Sequence, residues 1–600
     1  MASESARVRG KSRGRSRLLL PVGLSLSLLI LLVSLVASIT YGAADISFST
    51  VYAALTNFDG STDHLIIRTV RLPRSLIAVL VGAALAVAGA LMQGLTRNPL
   101  ASPGILGINA GAAMAVVIAV FLFGSSSLSV YAWCAFGGAG VTAITVYLLG
   151  SLGRGGLAPL NLTIAGAALT SLLSSFTTAI LILSQQTLDE IRFWLAGSVA
   201  GRDFTLFLQV LPYIGIGLAI AFALGKQMTT LGHDCSSGRS VLHLSSAVQG
   251  ETMRKSWLII RPRLLPISFR IERRVPTVLL VLVLVTLAAI VINVGQGEYP
   301  IPPLAVLKTI VGLPTANPDY AFIVNVLRLP RTLVAFGVGV GLAISGTILQ
   351  GLTRNPLADP GIIGVNAGAS LAAVSLIVLF PDVPLFALPL SAFAGALVVA
   401  IFIYLLAWDK GSSPIRLILV GVGIAAILGA LTNLMVTLGE INSVTQALVW
   451  LAGSVYGRGW QHVGALFPWL AVFVPLSLAL SMPLNTLSLG DDLARGLGAR
   501  VEWQRGLLLL MSAAMAGAAV AVAGTVGFVG LMAPHLGRQL VGPNHEGLMP
   551  TAALMGGLII VLADWLARVL FAPIELPCGA ITAAVGAPYF LYLLVRNRKR

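Results

Sequence analysis

Two long strings in this sequence occur twice. Arg71-Leu-Pro-Arg74, followed by Gln93-Gly-Leu-Thr-Arg-Asn-Pro-Leu-Ala101, returns as Arg328-Leu-Pro-Arg331 followed by Gln350-Gly-Leu-Thr-Arg-Asn-Pro-Leu-Ala358. The offset is constant, and the sequence between the strings is apolar and of helix length. A repeat this long means that one folding unit occurs twice in a single polypeptide. The offset is also too short for two equal halves of a 600-residue chain. The two units are therefore unequal.

Composition decides the solvent. Apolar residues make up 57% of the chain and charged residues only 10%, with a mean hydropathy of +0.93. A water-soluble protein of this size has too little interior for so much apolar side chain. The apolar runs are about 20 residues long, which matches the hydrocarbon thickness at 1.5 Å per residue. The net charge of +16 does not point to nucleic acid. Many of the basic residues lie in three clusters beside apolar runs, Arg7 to Arg17, Arg254 to Arg274 and Arg596 to Arg600, and are not interleaved with aromatics. That is the positive-inside pattern of a membrane protein. Cys134, Cys235 and Cys578 are far apart, and the six histidines are dispersed, so no metal site or cofactor is expected.

Spans are expected near 18–40, 74–95, 105–124, 129–150, 160–183 and 204–225 in the first unit. In the second they fall near 276–296, 331–352, 362–380, 384–407, 416–438, 462–482, 506–526, 527–541, 549–571 and 578–595. The fold class is an all-α polytopic membrane protein with about six plus ten transmembrane helices. The run 527–541 is short and polar at its end, as in a broken or re-entrant helix. The run Leu18 to Thr40 exceeds a signal-peptide core and reads as an uncleaved first helix. Six spans return the chain to its starting side and ten more do so again, which places all three basic clusters in the cytoplasm. The domains are then a basic tail (1–17), a shortened first unit (18–230), a cytoplasmic linker (231–275) and a complete second unit (276–600).

The copies stay in step through Trp194-Leu-Ala-Gly-Ser-Val-Ala-Gly-Arg202 and Trp450-Leu-Ala-Gly-Ser-Val-Tyr-Gly-Arg458, then part. The second continues through four more apolar segments. The first begins the same next motif at Thr230-Leu-Gly-His-Asp234 and then turns polar.

These motifs resemble those of the FecCD family, the membrane permeases of type II ABC importers for iron–siderophores, haem and cobalamin. The resemblance rests on the paired Arg-Leu-Pro-Arg strings, both Gln-Gly-Leu-Thr-Arg-Asn-Pro-Leu-Ala stretches and both Trp-Leu-Ala-Gly-Ser segments. In the second copy it extends to Leu489-Gly-Asp-Asp-Leu-Ala-Arg-Gly-Leu-Gly498, Gly527-Phe-Val-Gly-Leu-Met-Ala-Pro-His535 and Glu575-Leu-Pro577. A fused pair of units most resembles the double-length ferric-hydroxamate permeases. The resemblance implies a pathway between two permease halves, a substrate-binding protein outside and ATPase subunits inside. The chain carries no Gly-x-x-x-x-Gly-Lys-Ser/Thr phosphate loop, so it is expected to be a transport subunit and not an enzyme.

Site residues follow from both sources. Parity puts Arg71, Arg74, Arg328 and Arg331 outside, where basic residues are disfavoured. They either anchor lipid phosphates or dock acidic side chains of a binding protein; docking is the expectation, and the resemblance adds Arg568. Leu489, Gly490, Asp491, Asp492, Leu493, Ala494, Arg495, Gly496, Leu497 and Gly498 read as a short amphipathic helix. The resemblance makes it the coupling helix that contacts the ATPase. Arg97 and Arg354, each before Asn-Pro, are cytoplasmic turn residues. Gly166, Ala167, Gly421 and Gly423 on the fifth spans are either close-packing residues or pathway lining.

The expected function is ATP-driven import of a ferric siderophore of the hydroxamate type. Alternatives are the same architecture carrying cobalamin or haem, a secondary transporter, and a non-functional truncated fusion. The secondary transporter is disfavoured because no carboxylate sits mid-span in both copies.

Overall fold

The computed structural model describes the chain except residues 1, 43, 45, 97, 99–100, 125–127, 152–158, 234–256, 261–268, 316, 381–383, 385, 410, 571, 573–574 and 597–600. The first copy forms α1 (Ala2–Thr40), α2 (Phe48–Thr56), α3 (Thr62–Leu65), α4 (Leu72–Thr96), α5 (Ile108–Phe123), α6 (Leu128–Ser151), α7 (Pro159–Leu183), α8 (Gln185–Leu195) and α9 (Phe204–His233). The second repeats the series as α10 (Arg274–Gly295), α11 (Pro303–Val311), α12 (Asp319–Phe322), α13 (Leu329–Thr353), α14 (Val365–Leu379), α15 (Ala387–Leu406), α16 (Pro414–Leu438), α17 (Ile441–Ala452) and α18 (Trp460–Ala479). It continues with α19 (Ser481–Ser488), whose counterpart is the last two turns of the longer α9, and then adds α20 (Asp491–Gly496), α21 (Val501–Ala523), α22 (Val529–Val541), α23 (His545–Val569) and α24 (Cys578–Arg596), which have no first-copy counterpart among the described residues. Part of the linker forms a small antiparallel hairpin, β1 (Trp257–Ile260) and β2 (Phe269–Glu272).

A helix occupies every expected span. Among the described residues, twelve are long and apolar enough to cross a membrane. The other four, α5, α14, α22 and α24, are shorter. Leu72 and Leu329 each follow a π-helical turn, Ile66–Arg71 and Ile323–Arg328. The next residue in each copy, Pro73 or Pro330, has no N–H to give, so the regular ladder is already interrupted there.

The long helix α13 is the centre of the second copy. It packs against α23, α21, α22 and α18, and its approach to α23 and α22 is set by glycine. A Cβ at Gly339 would overlap the Gly556 carbonyl, and one at Gly346 would overlap the Gly530 carbonyl. Small residues permit this approach, which is how helices associate in lipid, where the hydrophobic effect between them is absent. Ser345 and Ser512 fasten α13 to α21, their hydroxyls 2.7 Å apart. Of the span containing α13, 89% is buried; of the span containing α4, only 11% is. Both helices keep two glycines at matched positions, Gly82 with Gly339 and Gly89 with Gly346, and α21–α23 cover α13 with no counterpart among the first copy's described residues.

Packing draws a different boundary from the repeat. In the second copy α21 touches α13 and α18 on one side and α14 and α15 on the other, joining two groups of helices. The first copy has no such joint among the described residues. Residues 1–103 and 197–239, holding α1 to α4 and α9, form one compact unit. Residues 104–196, holding α5 to α8, form the other together with 240–600. Within that second unit α5 and α6 cross at Gly111 and Gly138, as α14 and α15 do at Gly368 and Gly395. There α7 lies along α24 and α17.

Gly346→Ala should destabilise the protein by about 1–3 kcal/mol, the usual scale of core overpacking, seen as a lower melting temperature in detergent. Gly89→Ala, the matched position in α4 where an added methyl would have nothing within 4 Å, should leave it unchanged. Equal effects would contradict the asymmetric packing.

Candidate functional site

At one end of the second copy's helices, a single carboxylate organises four elements. Asp564 of α23 is 1% exposed and accepts from Arg331 Nη2 at 2.7 Å and Nε at 3.1 Å. Its second oxygen accepts from Asn293 Nδ2 at 3.2 Å and lies 3.6 Å from Arg568 Nε. Arg331 Nη1 donates to Glu575 at 2.8 Å, and Arg568 Nη2 donates to the Asn293 carbonyl at 2.7 Å. The cluster thus ties the starts of α13 and α24 to the ends of α10 and α23. Charges at this depth persist only when paired and hydrogen-bonded.

The first arginine of each Arg-Leu-Pro-Arg string has a different task, and the same one in both copies. Arg328 donates to the carbonyls of Val294 and Tyr299, both at 2.9 Å. Arg71 donates to Ile39 at 2.9 Å and Thr40 at 2.6 Å. Each guanidinium satisfies carbonyls at the C-terminal end of the preceding span, where a cation is also favoured by the helix dipole. Arg74 differs from its counterpart Arg331. It is exposed and makes no hydrogen bond or ion pair among the described residues. Arg71, Arg331 and Arg568 are buried and Arg328 half-buried, so Arg74 alone of the five presents a free guanidinium.

At the opposite end, α20 is held from beneath. Arg505 of α21 is 2% exposed and donates to Asp491 Oδ1 at 2.6 Å and to the Ser412 hydroxyl at 3.2 Å. Glu502 accepts from Ser412 N at 2.9 Å and Oγ at 2.7 Å, and approaches Arg495 at 3.6 Å. Burial would raise the Asp491 carboxyl, but Arg505, with Arg354 and Arg495 beyond it, outweighs this and holds it below the usual carboxylate range. The pair's contribution is therefore complete above the ordinary carboxylate pKa and is lost as pH falls through the lowered one. Above this clasp Leu489, Leu493 and Leu497 are 57%, 62% and 67% exposed. Gly490 and Gly498, both with positive φ, bound the helix. Asp234 to Ser240, where the first copy's version of this motif dissolves, and Arg97 lie outside the described residues.

The compact unit of residues 104–196 and 240–600 contains a cavity of about 270 Å³, lined by α7, the start of α14, the end of α17, the turn after α21, and α24. Gly166, Ala167, Gly421 and Gly423 are not among its walls. Gly166 and Gly421 are buried, and Ala167 and Gly423 are exposed away from it. From α7 the cavity takes Ser171, Ser174, Ser175 and Thr178. Sequence reasoning passed over these four, although their i, i+3, i+4, i+7 spacing marks one helix face. It also passed over Asp564, whose signal was a lone acid four residues before Arg568.

The profile of the FecCD transport family matches residues 30–241 and 283–596. The chain belongs to the FecCD transport family. It is similar to the Fe(3+)-citrate import system permease protein YfmE of Bacillus subtilis (strain 168), with 42% identity over 327 residues, 54% of this chain and 96% of that protein. The Iron(3+)-hydroxamate import system permease protein FhuG of the same organism is 42% identical over 312 residues, 51% of this chain and 92% of its own. The Cobalamin import system permease protein BtuC of Halobacterium salinarum is 41% identical over 317 residues, 52% of this chain and 84% of its own. Each relative spans about half of this chain, and the family profile matches it twice. This FecCD protein is a multi-pass permease subunit of an ABC importer in the cytoplasmic membrane, not an enzyme.

Asp564→Ala should strand Arg331 and Arg568 without a counter-charge and cost about 3–5 kcal/mol, the scale for breaking a buried pair. Thermal unfolding in detergent reads this directly, and Arg74→Ala should leave the midpoint in place. An Asp564→Ala protein as stable as the parent would show that the cluster does not hold the helices.

Proposed function

We propose that this permease moves a ferric siderophore of the hydroxamate type across the cytoplasmic membrane by alternating access, driven by a separate ATPase. The observation that carries the mechanism is the clasp of α20. Three exposed leucines form an apolar knob on the side that charge parity assigns to the cytoplasm. Asp491 and the buried Arg505 connect that knob to α21, and α21 lies against α13 at the centre of the bundle. A push on the knob is then passed to the core as a rigid-body displacement, because packed helices shift between discrete arrangements and do not deform smoothly. Leu489 to Gly498 are the residues proposed to contact the ATPase. The first copy supplies no such helix among its described residues, so force enters through one coupling helix.

On the outer side, an extracytoplasmic binding protein is proposed to dock at the arginines. Arg74 offers an open guanidinium to an acidic partner. Arg331 could engage one only by exchanging Glu575, the more exposed of its two carboxylates, while Arg71 in one compact unit, and Arg328 and Arg568 in the other, hold the helix ends that present them. Among substrates, the hydroxamate relative supports the first reading and the cobalamin relative supports a second, import of a corrinoid by the same machinery.

Uptake of radiolabelled ferric hydroxamate into vesicles holding the chain, its ATPase and its binding protein tests the account. Leu493→Asp with Leu497→Asp should reduce uptake at least about tenfold with membrane insertion intact, since burying two unpaired charges at an interface costs more than the 1.4 kcal/mol this represents. Undiminished uptake would sink the coupling role. Arg74→Glu, which has no internal bond to lose, should weaken binding-protein capture; unchanged capture would remove Arg74 from the docking surface.

A further inference from the structure

The second copy is a template for an open face on the first. On α13, Gly339 meets the Gly556 carbonyl of α23 and Gly346 meets the Gly530 carbonyl of α22. Arg331, about two turns earlier, takes Asp564 of α23. The first copy carries the same three groups at the same spacing on α4, as Arg74, Gly82 and Gly89. At 3.6 residues per turn they fall within an arc of about 80° and share one face. On that face a Cβ at either glycine would have nothing within 4 Å. Arg74 is exposed and makes no hydrogen bond or ion pair among the described residues.

Two other glycines of α13 sharpen the comparison. Gly337 faces Leu466, Phe467 and Leu470 of α18, and Gly341 faces Leu470 and the Met515 carbonyl. The first copy keeps a counterpart of α18 in α9, which packs on α4. At these two positions it has Leu80 and Ala84. Glycine has thus gone from α4 where a facing helix is present, and stays where the facing helices are missing. A mid-helix glycine is less favourable than alanine, and against lipid nothing offsets this. A helix backbone seated on Gly82 and Gly89 does offset it, through close dispersion contact. The open guanidinium of Arg74 adds a charge for such a helix to pair.

We infer that this face of α4 binds a pair of transmembrane helices from a separate polypeptide, one of which carries a glycine and, eight residues further on, a carboxylate. That spacing is the one between Gly556 and Asp564. A second copy of this chain does not supply the pair. Each chain has two receiving faces and, among its described residues, one such pair, α22 and α23, which is already seated on its own α13. Nor do two α4 faces suit each other, because a two-fold contact sets Arg74 against Arg74 with no acid between them. The contact leaves room for docking outside. Arg331 holds two carboxylates at once, Asp564 through Nε and Nη2 and Glu575 through Nη1, and Arg74 offers the same two edges. The inference does not depend on which substrate is carried.

The probe is a synthetic peptide of residues 545–569 with a photoreactive diazirine leucine in place of Ile560, which shares a helix face with Gly556 and Asp564. It is reconstituted in liposomes with the purified full chain and irradiated, and the adducts are mapped by mass spectrometry. They should fall on residues 72–96, and peptide without the diazirine should compete to saturation. Asp564→Asn in the peptide should cut the α4 adduct at least about tenfold, on the scale of a hydrogen-bonded charge pair. Gly82→Leu with Gly89→Leu in the chain should do the same. Arg74→Gln, which leaves the packing of α4 alone, should match the loss seen with Asp564→Asn. Adducts confined to α13, adducts spread over all lipid-facing helices, or an α4 yield untouched by these changes would overturn the inference. So would disulfide-linked dimers of a Leu85→Cys chain in the same liposomes, which would give the face to a second copy.

Discussion

The close approach of α13 to α23 and α22 is the constraint on which the second copy depends. Two glycines on α13, Gly339 and Gly346, face backbone carbonyls with no room for a methyl group. At that separation the helices gain dispersion contact along their length, the main attraction available when the surrounding lipid is as apolar as the side chains. Both buried charge clusters hang from this core. The charge cluster around Asp564 spans α10, α13, α23 and the segment before α24, and the Arg505 clasp at the opposite end fixes α20 to α21, which itself lies on α13.

The same contact explains why one repeat produces two different structures. Gly82 and Gly89 stand in α4 where Gly339 and Gly346 stand in α13, yet nothing lies within 4 Å of a Cβ placed on either. The receiving surface is present, and no helix among the described residues covers it. Arg74 tells the same story in charge: its counterpart is clasped by Asp564 and Glu575, and it has no such partner among the described residues. Without a helix equivalent to α21 the first copy separates, and α5 to α8 pack with the second copy. The shortened copy thus contributes a wall of the cavity through α7.

Much of this was legible in the residues, and the parts that were not have physical causes. Helix positions follow from apolar run length, and all of the expected spans contain helices because the bilayer leaves the backbone no other way to satisfy itself. The short helix α20 could be read from its bounding glycines. The work of Arg328 and Arg71 could not, since each caps a helix end more than thirty residues away in the chain, and capping by a distant side chain leaves no local pattern. Arg331 and Asp564 meet across 233 residues. The small residues Gly166 and Gly421 drew attention as pathway lining, and the cavity-lining serines further along α7 did not, because serines that bond their own helix look like ordinary packing. The boundary between compact units was hidden for a similar reason: a repeat shows which segments are alike, not which of them touch.

The claim that α21 to α23 bury α13 while α4 has no such cover is tested most directly by spin labels at matched positions. Ala343 of α13 is fully buried, and Ala86 of α4 is exposed. Labels attached through cysteine at each site, in the full chain reconstituted in bilayers, report collisions with dissolved oxygen, which concentrates among lipid tails. The account predicts high oxygen accessibility at position 86 and low accessibility at 343. Low accessibility at both would show that α4 is covered as α13 is, and would contradict the unequal packing of the two copies.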